Sequence, residues 1–142
     1  MDAPWKKASS FAHLSLLKEV LSQKPTRHLN ISSIKIMHIK SISTDDVYIF
    51  DFNSPHLCGI SGCLYSIYKA DGKLLAEFIA NPYLLPKEKL IQVSDTINQG
   101  FPCLIISQNT NTKNLLLQTQ FCYQQYKYIR FNENFTVGGK IE

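Results

Sequence analysis

The N-terminal part of the chain carries an apolar stripe with the spacing of a helix. Four large apolar residues recur every three or four positions: Phe11, Leu14, Leu17 and Leu21. Ser9 and Ser10 precede this stripe and suit a helix cap, whereas Pro25 follows it and ends a helix. The pattern predicts one amphipathic helix of about a dozen residues, with its apolar side on a sheet and its polar side in water.

Beyond residue 29 the spacing changes to the alternation of β-strands. A run rich in isoleucine slips in its alternation near Met37, and a second run covers Val47 to Phe52. Together these runs predict a hairpin. Another hairpin is predicted for Cys63–Tyr68 and Lys73–Ala80, because Asp71-Gly72 between them supplies the positive φ angles of a tight turn.

The rest of the chain predicts more strands and one ambiguous segment. Residues 87–98 fit either a short helix or an extended crossing, and the pattern does not choose between them. Three strands follow, at 103–107, 115–123 and 126–131. We therefore expect an α+β fold in one domain of residues 1–134, a mainly antiparallel sheet of about six or seven strands with one N-terminal helix packed on it. Residues 135–142 are expected to be a flexible tail.

Composition places the chain among folded proteins outside the membrane. Of its 142 residues, 44% are hydrophobic and 18% are charged, which is typical of a domain with a packed core. No apolar run approaches the roughly 20 residues of a membrane span, and the N-terminus does not have the form of a signal peptide. We therefore expect a cytoplasmic protein without membrane contact, in which the four cysteines are mostly reduced.

The stretch from Cys58 to Phe131, about half of the chain, combines several constrained motifs. Cys58-Gly59-Ile60-Ser61-Gly62-Cys63 comes first, then the Asp71-Gly72 hairpin, then Gly100-Phe101-Pro102 before an apolar strand, and finally a closing strand with Tyr126 and Tyr128. In this order the motifs resemble small bacterial proteins of no established function. The resemblance implies a compact sheet scaffold and brings no catalytic residue with it.

The two cysteines that bracket the glycines at Cys58–Cys63 allow several kinds of chemistry. With His56 they offer zinc ligands, but the sequence lacks a second pair of ligands at zinc-finger spacing, so we expect no metal and no other cofactor. A Cys58–Cys63 disulfide is reasonable in an oxidising compartment. In the cytoplasm free thiols are favoured, above all for Cys103 and Cys122, which lie within apolar strands.

No enzyme motif stands out, and the aromatic content instead indicates a binding surface. The sequence has no phosphate-binding glycine loop, and His56 beside Cys58 is poorly placed to act as its base. The candidate contact residues lie in the second half of the predicted sheet: Tyr65, Tyr68, Tyr126, Tyr128 and Arg130. Core packing would produce the same set of tyrosines.

Alternation in the closing strand assigns its two faces. Tyr126, Tyr128 and Arg130 share one side, and the more apolar Ile129 and Phe131 share the other. We assign Ile129 and Phe131 to the core and the tyrosines to the accessible face. The expected function is a non-enzymatic protein-binding or self-associating module, with an unknown protein or a second copy of the chain as its partner.

An alternative function follows from the distribution of charge. Residues 1–42 hold seven Lys and Arg against two acidic residues, a net +5, whereas the remaining residues hold eight against nine, a net −1. Four of these cations would form a surface for nucleic acid: Lys24, Arg27, Lys35 and Lys40. An ordinary solvated face has the same appearance, so a nucleic-acid accessory protein is the second hypothesis.

Overall fold

The computed structural model describes residues 4–11, 14–24, 29–42, 45–84 and 88–138. Its helices are α1 (Ala8–Phe11) and α2 (Leu14–Ser22). Its strands are β1 (Trp5–Lys7), β2 (Lys35–Ile39), β3 (Val47–Asp51), β4 (Cys58–Gly59), β5 (Gly62–Lys69), β6 (Leu74–Ala80), β7 (Ile91–Asn98), β8 (Phe101–Asn109), β9 (Leu115–Gln124) and β10 (Lys127–Val137). Short 3-10 turns cover Ile31–Ser33 and Pro55–Leu57.

The strands form two antiparallel sheets that follow each other along the chain. In the first sheet, β1, β2, β3 and β5 lie side by side, and β6 pairs with the far side of β5. The two-residue strand β4 pairs with the start of β5, beyond the end of β3. In the second sheet the order is β7, β8, β9 and β10. The described part of β10 pairs with β9 alone, so β10 is an edge strand.

Two apolar clusters define three layers. The first cluster lies between the sheets and joins side chains such as Ile49 and Ile67 with Leu104 and Ile106. The second cluster lies on the other face of the first sheet, where helix residues such as Val20 pack against Phe50 and Tyr68. The first sheet is therefore covered on both faces, which explains the nearly continuous apolar run of β3.

A mainly antiparallel fold with few helices is confirmed, but the number of strands is wrong. The described residues contain ten strands in two sheets instead of six or seven in one. The strands missed are mostly short: β1 has three residues and β4 has two, too few for a period to show. The ambiguous segment is extended, as strand β7. Helical residues are described at Ala8–Phe11 and Leu14–Ser22, and residues 12–13 between them lie outside the described part.

The end of the chain also differs from the prediction. Strand β10 continues to Val137, three residues into the segment expected to be a tail, and residues 139–142 lie outside the described part. The slip predicted near Met37 is absent, since β2 pairs with β3 in one unbroken register. Neither of the described helices has the length and apolar character needed to cross a membrane.

Candidate functional site

Three of the tyrosines predicted to form a contact face are buried. Tyr65, Tyr68 and Tyr128 are only 1%, 0% and 4% exposed, so the accessible face predicted for Tyr128 is wrong, and the candidate contact residues Tyr65 and Tyr68 are buried as well. The Tyr128 ring packs edge-on against Tyr123, and its hydroxyl donates a hydrogen bond to the carbonyl oxygen of Pro102 at 2.9 Å. Burial, and then the nearby Tyr123, raise the pKa of this hydroxyl. Tyr126 alone among the four stays exposed, at 64%.

The opposite side of the closing strand is the exposed one. Ile129 and Phe131, which alternation assigned to the core, are 40% and 45% exposed. The register of β10 against β9 shifts between Arg130 and Asn132, which leaves Phe131 in a bulge. Beyond the bulge, on the side of the strand that carries Arg130, Phe135 and Val137 are 66% and 64% exposed. We refer to these four side chains, Ile129, Phe131, Phe135 and Val137, as the β10 surface.

Charged residues lie among the apolar ones of the β10 surface. Arg130, one of the predicted contact residues, is exposed and lies 3.5 Å from a carboxylate oxygen of Glu133. The Thr119 hydroxyl on the neighbouring strand donates a hydrogen bond to the same carboxylate at 3.1 Å. This end of the second sheet therefore offers apolar area together with one positive and one negative group.

Lys24, one of the four candidate nucleic-acid contacts, is held inside the protein. Its ammonium group lies 2.7 Å from a Glu77 carboxylate oxygen and 3.2 Å from the Tyr68 hydroxyl, and the Lys24 side chain is 9% exposed. Burial lowers the pKa of Lys24, but the contacts with Glu77 and Tyr68 outweigh it, so the pKa is raised. Because this charge is already paired, Lys24 is not available to bind a phosphate.

Of the other three candidate cations, two are described and both are exposed. Lys35 and Lys40 are exposed, and Lys35 lies opposite Asp51 in the register of β2 and β3. Arg27 lies outside the described residues. Of the four cations, two therefore remain as exposed charges in the described part of the chain.

A cleft opens where the ends of the first sheet meet β7, and the sequence did not predict it. It consists of two adjoining cavities of about 380 and 400 Å³ that share Asp51, Tyr65 and Pro82. The first cavity reaches Trp5 and Lys89, among others, and the second is also lined by Cys58, Cys63 and Tyr83. We refer to both cavities together as the side cleft.

Asp51 is the acidic group of the side cleft. It ends strand β3 directly opposite Tyr65 of β5. Burial raises the pKa of the Asp51 carboxyl, although the backbone N–H of Asn53 and the charge of Lys35 oppose this change. Burial, followed by the charge of Asp51, also raises the pKa of the Tyr65 hydroxyl. A carboxyl that is kept partly out of water in a cleft is a common feature of binding sites.

All four cysteines are joined in disulfides, which corrects the expectation of free thiols. Cys58 is bonded to Cys63, and Cys103 is bonded to Cys122. Each pair lies directly opposite across two antiparallel strands, β4 and β5 in one case and β8 and β9 in the other. The register of the β8–β9 hairpin was the signal for the second pair, because it places Cys103 beside Cys122. In this state the cysteines are not metal ligands, and the described residues contain no group of three or more His, Cys, Asp or Glu suited to a metal ion.

Comparison with known proteins adds no relative. No protein-family model matches the chain. No curated protein and no solved structure matches it either. The resemblance to small bacterial proteins stays a prediction, and function has to be argued from the geometry of this chain.

Proposed function

We propose that this protein is a non-enzymatic self-associating module whose two copies join along strand β10. The observation that carries the proposal is an eleven-residue edge strand in which every side chain after Tyr128 is at least partly exposed. The partner is one of those expected from the sequence, a second copy of the chain. The proposed contact residues are those of the β10 surface instead of the buried tyrosines.

An edge strand of this length is open to a partner strand. The outer side of β10 presents backbone N–H and C=O groups in the direction away from β9, and these groups can extend the sheet by one more strand. Proteins commonly protect such an edge by shortening it, by a bulge, or by charged residues and proline. Beyond the bulge at Phe131, the last six residues of β10, from Asn132 to Val137, contain no lysine or proline and one charged residue, Glu133. They instead expose Phe135 and Val137, so an added strand would also cover apolar area.

A second copy of the chain is the partner that the charges favour. When two β10 strands run antiparallel about a two-fold axis, Arg130 of one copy can face Glu133 of the other, and the same pair forms again on the opposite side of the axis. Opposite charges that face each other across neighbouring strands stabilise the pairing. The Arg130 and Glu133 side chains are 63% and 37% exposed, so both can reach a partner.

Sedimentation equilibrium of a Phe135→Lys variant tests the proposal. A lysine on an edge strand opposes strand addition, and loss of an aromatic hot-spot contact in an interface costs about 2 kcal/mol or more. We therefore expect the dissociation constant of the dimer to rise about 30-fold or more. Thermal melting of the variant checks that its fold is intact, because Phe135 is 66% exposed and contributes little to the core.

Ile97→Lys is the matched control. Ile97 is 50% exposed on β7, the opposite edge strand of the same sheet, so the substitution adds the same charge to a similar position. The control should associate like the wild type. A wild-type protein that stays monomeric at all concentrations contradicts the proposal, as does a dimer that Ile97→Lys disrupts and Phe135→Lys does not.

A further inference from the structure

The two disulfides differ sharply in their access to solvent. Cys103 and Cys122 are 0% and 1% exposed. Cys58 is exposed on the two-residue strand β4, and Cys63 opposite it is half-buried. The turn that joins them is also open to solvent, since the side chain of Ile60 is fully exposed. A soluble reactant can therefore reach one disulfide and not the other.

The side cleft provides the space for such a reactant. Both Cys58 and Cys63 line the cavity of about 400 Å³, together with Pro82 and Tyr83. Tyr83 is 81% exposed, so this cavity opens to solvent. Thiol–disulfide exchange requires a thiolate to approach one sulfur of the bond, and access decides which sulfur is attacked. Of the two sulfurs, that of the exposed Cys58 is the one that an incoming thiolate meets first.

We propose that Cys58–Cys63 is a thiol–disulfide exchange site that reacts with dithiol reductants and controls the side cleft. A thiolate of the dithiol attacks Sγ of Cys58, and the Cys58–Cys63 bond breaks. Cys63 leaves with the electron pair and takes up a proton. The second thiol of the reductant, as a thiolate, then attacks the reductant's sulfur in the mixed disulfide. This step releases the Cys58 thiolate, which also takes up a proton. The chain gains two electrons and two protons, and the dithiol becomes a disulfide.

Reduction removes the covalent link that holds one wall of the side cleft. Strand β4 pairs with β5 over two residues, Cys58 opposite Cys63 and Gly59 opposite Gly62. The wall that ends in β4 also includes Ser54 and Pro55, which line the same cavity. Strand β5 is fixed by β3 on one side and by β6 on the other. The part released by reduction is therefore the segment of residues 53–60, whose movement changes access to Asp51 and Tyr65.

Alkylation of the native protein tests the exchange site. The full chain is treated with limiting dithiothreitol, then with N-ethylmaleimide without denaturant, and the labelled peptides are identified by mass spectrometry. We expect labelling of Cys58 and Cys63 to exceed that of Cys103 and Cys122 by about tenfold or more, because access limits the exchange. Equal labelling of all four cysteines, preferential labelling of Cys103 and Cys122, or no labelling at all overturns the proposal.

Hydrogen exchange tests the control of the cleft. After reduction, the amides of residues 53–60 should exchange faster, and those of β8 and β9 should not change. A variant with both Cys58→Ser and Cys63→Ser should show the fast exchange without reductant and should not respond to dithiothreitol. If reduction leaves residues 53–60 unchanged, or if it accelerates exchange in β8 and β9 as well, the disulfide does not act as a local control of the cleft.

Discussion

At the residue scale, Gly62 shows why the chain needs glycine at one particular position. Its φ angle is +131°, and a Cβ atom built there would overlap the carbonyl group of Ala80. Gly59, which directly follows Cys58, has open space around it and no such φ angle. The two glycines between Cys58 and Cys63 therefore have different roles, although the sequence alone does not separate them.

Replacing each glycine by alanine measures this difference. Gly62→Ala should lower the free energy of unfolding by about 3 kcal/mol or more, because it combines an unfavourable φ angle with a clash against the β6 backbone. Gly59→Ala should change it by less than about 0.5 kcal/mol. Urea denaturation of both variants provides the comparison. Equal effects would show that the close contact between Gly62 and Ala80 is not a feature of the folded chain.

The closing strand supplies a second prediction, on Tyr128 and Phe131. Tyr128→Ala should cost about 3–5 kcal/mol of stability, because it leaves a cavity beside Tyr123 and an unpaired carbonyl at Pro102. Phe131→Ala should cost less than about 1 kcal/mol, because Phe131 is 45% exposed on an edge strand and lies outside the core. Thermal melts measure both changes. The reverse order of the two effects would mean that β10 faces the other way.

These residues also mark the limit of prediction from the sequence at this scale. Alternation along residues 126–131 held only in part, because Tyr126 lies in the turn before β10 and Phe131 lies in a bulge. It could not tell which face is buried, because Tyr128 carries a polar hydroxyl that finds a partner only in the folded protein. The apolar Ile129 and Phe131 were assigned to the core on hydrophobicity, but both are exposed on this edge strand.

At the element scale, a network of hydrogen bonds and one ion pair connects the C-terminal end of α2 to the first sheet. Lys24, just beyond α2, contacts Glu77 on β6 and Tyr68 on β5, and the Ser66 hydroxyl donates a hydrogen bond to the same Glu77 oxygen at 2.7 Å. The Tyr68 hydroxyl in turn donates to the Gln23 side chain at 3.2 Å. The helix is thus positioned both by its apolar stripe and by paired polar groups.

Lys24→Met should reveal the contribution of this network through its dependence on pH. Burial raises the pKa of Glu77, but Lys24 and Ser66 outweigh it, so the pKa lies below its ordinary value of 4.5. A lowered carboxyl pKa stabilises the fold above 4.5, and this stability is lost as the pH falls through the folded-state pKa. The raised pKa of Lys24 contributes stability below its ordinary value of 10.5, which is lost as the pH rises through the folded-state pKa.

Methionine keeps the apolar stem of Lys24 near the rings of Phe52 and Tyr68 and removes its charge. At neutral pH the variant should be less stable by about 1–2 kcal/mol, because Glu77 loses its partner while it remains partly in contact with water. Urea titrations on both sides of pH 4.5 measure the difference, which should shrink on the acidic side. A difference that stays constant through this range would mean that the ion pair does not stabilise the fold.

Elements with a strong local signal were predicted well. The β5–β6 hairpin was expected from Asp71-Gly72, and Gly72 has a φ angle of +91° in its turn. The β2–β3 hairpin was expected from its isoleucine-rich strand and the turn after it. The side cleft was not expected, because its lining comes from β1, β2, β3, β5 and the start of β7, which meet only through the packing of the two sheets.

At the scale of the whole molecule, neither disulfide links the two sheets, so apolar contacts hold the sheets together. Each disulfide joins neighbouring strands of one sheet, with sequence separations of 5 and 19 residues. A short loop gains less from a covalent link than a long one, since fewer conformations of the unfolded chain are removed. The contact between the sheets therefore depends on the apolar cluster around Ile49, Ile67 and Leu104.

The consecutive arrangement of the sheets has a consequence for how the chain folds. The first sheet uses residues 5–80 and the second uses 91–137. Each strand pairing in the described residues joins two strands of the same sheet. Most of the pairings close short loops, which costs little entropy and allows fast formation. Each half can therefore assemble its own sheet before the two halves meet. Until they meet, the inner faces of both sheets are in water, and a newly made chain has to complete this last step before it encounters another copy.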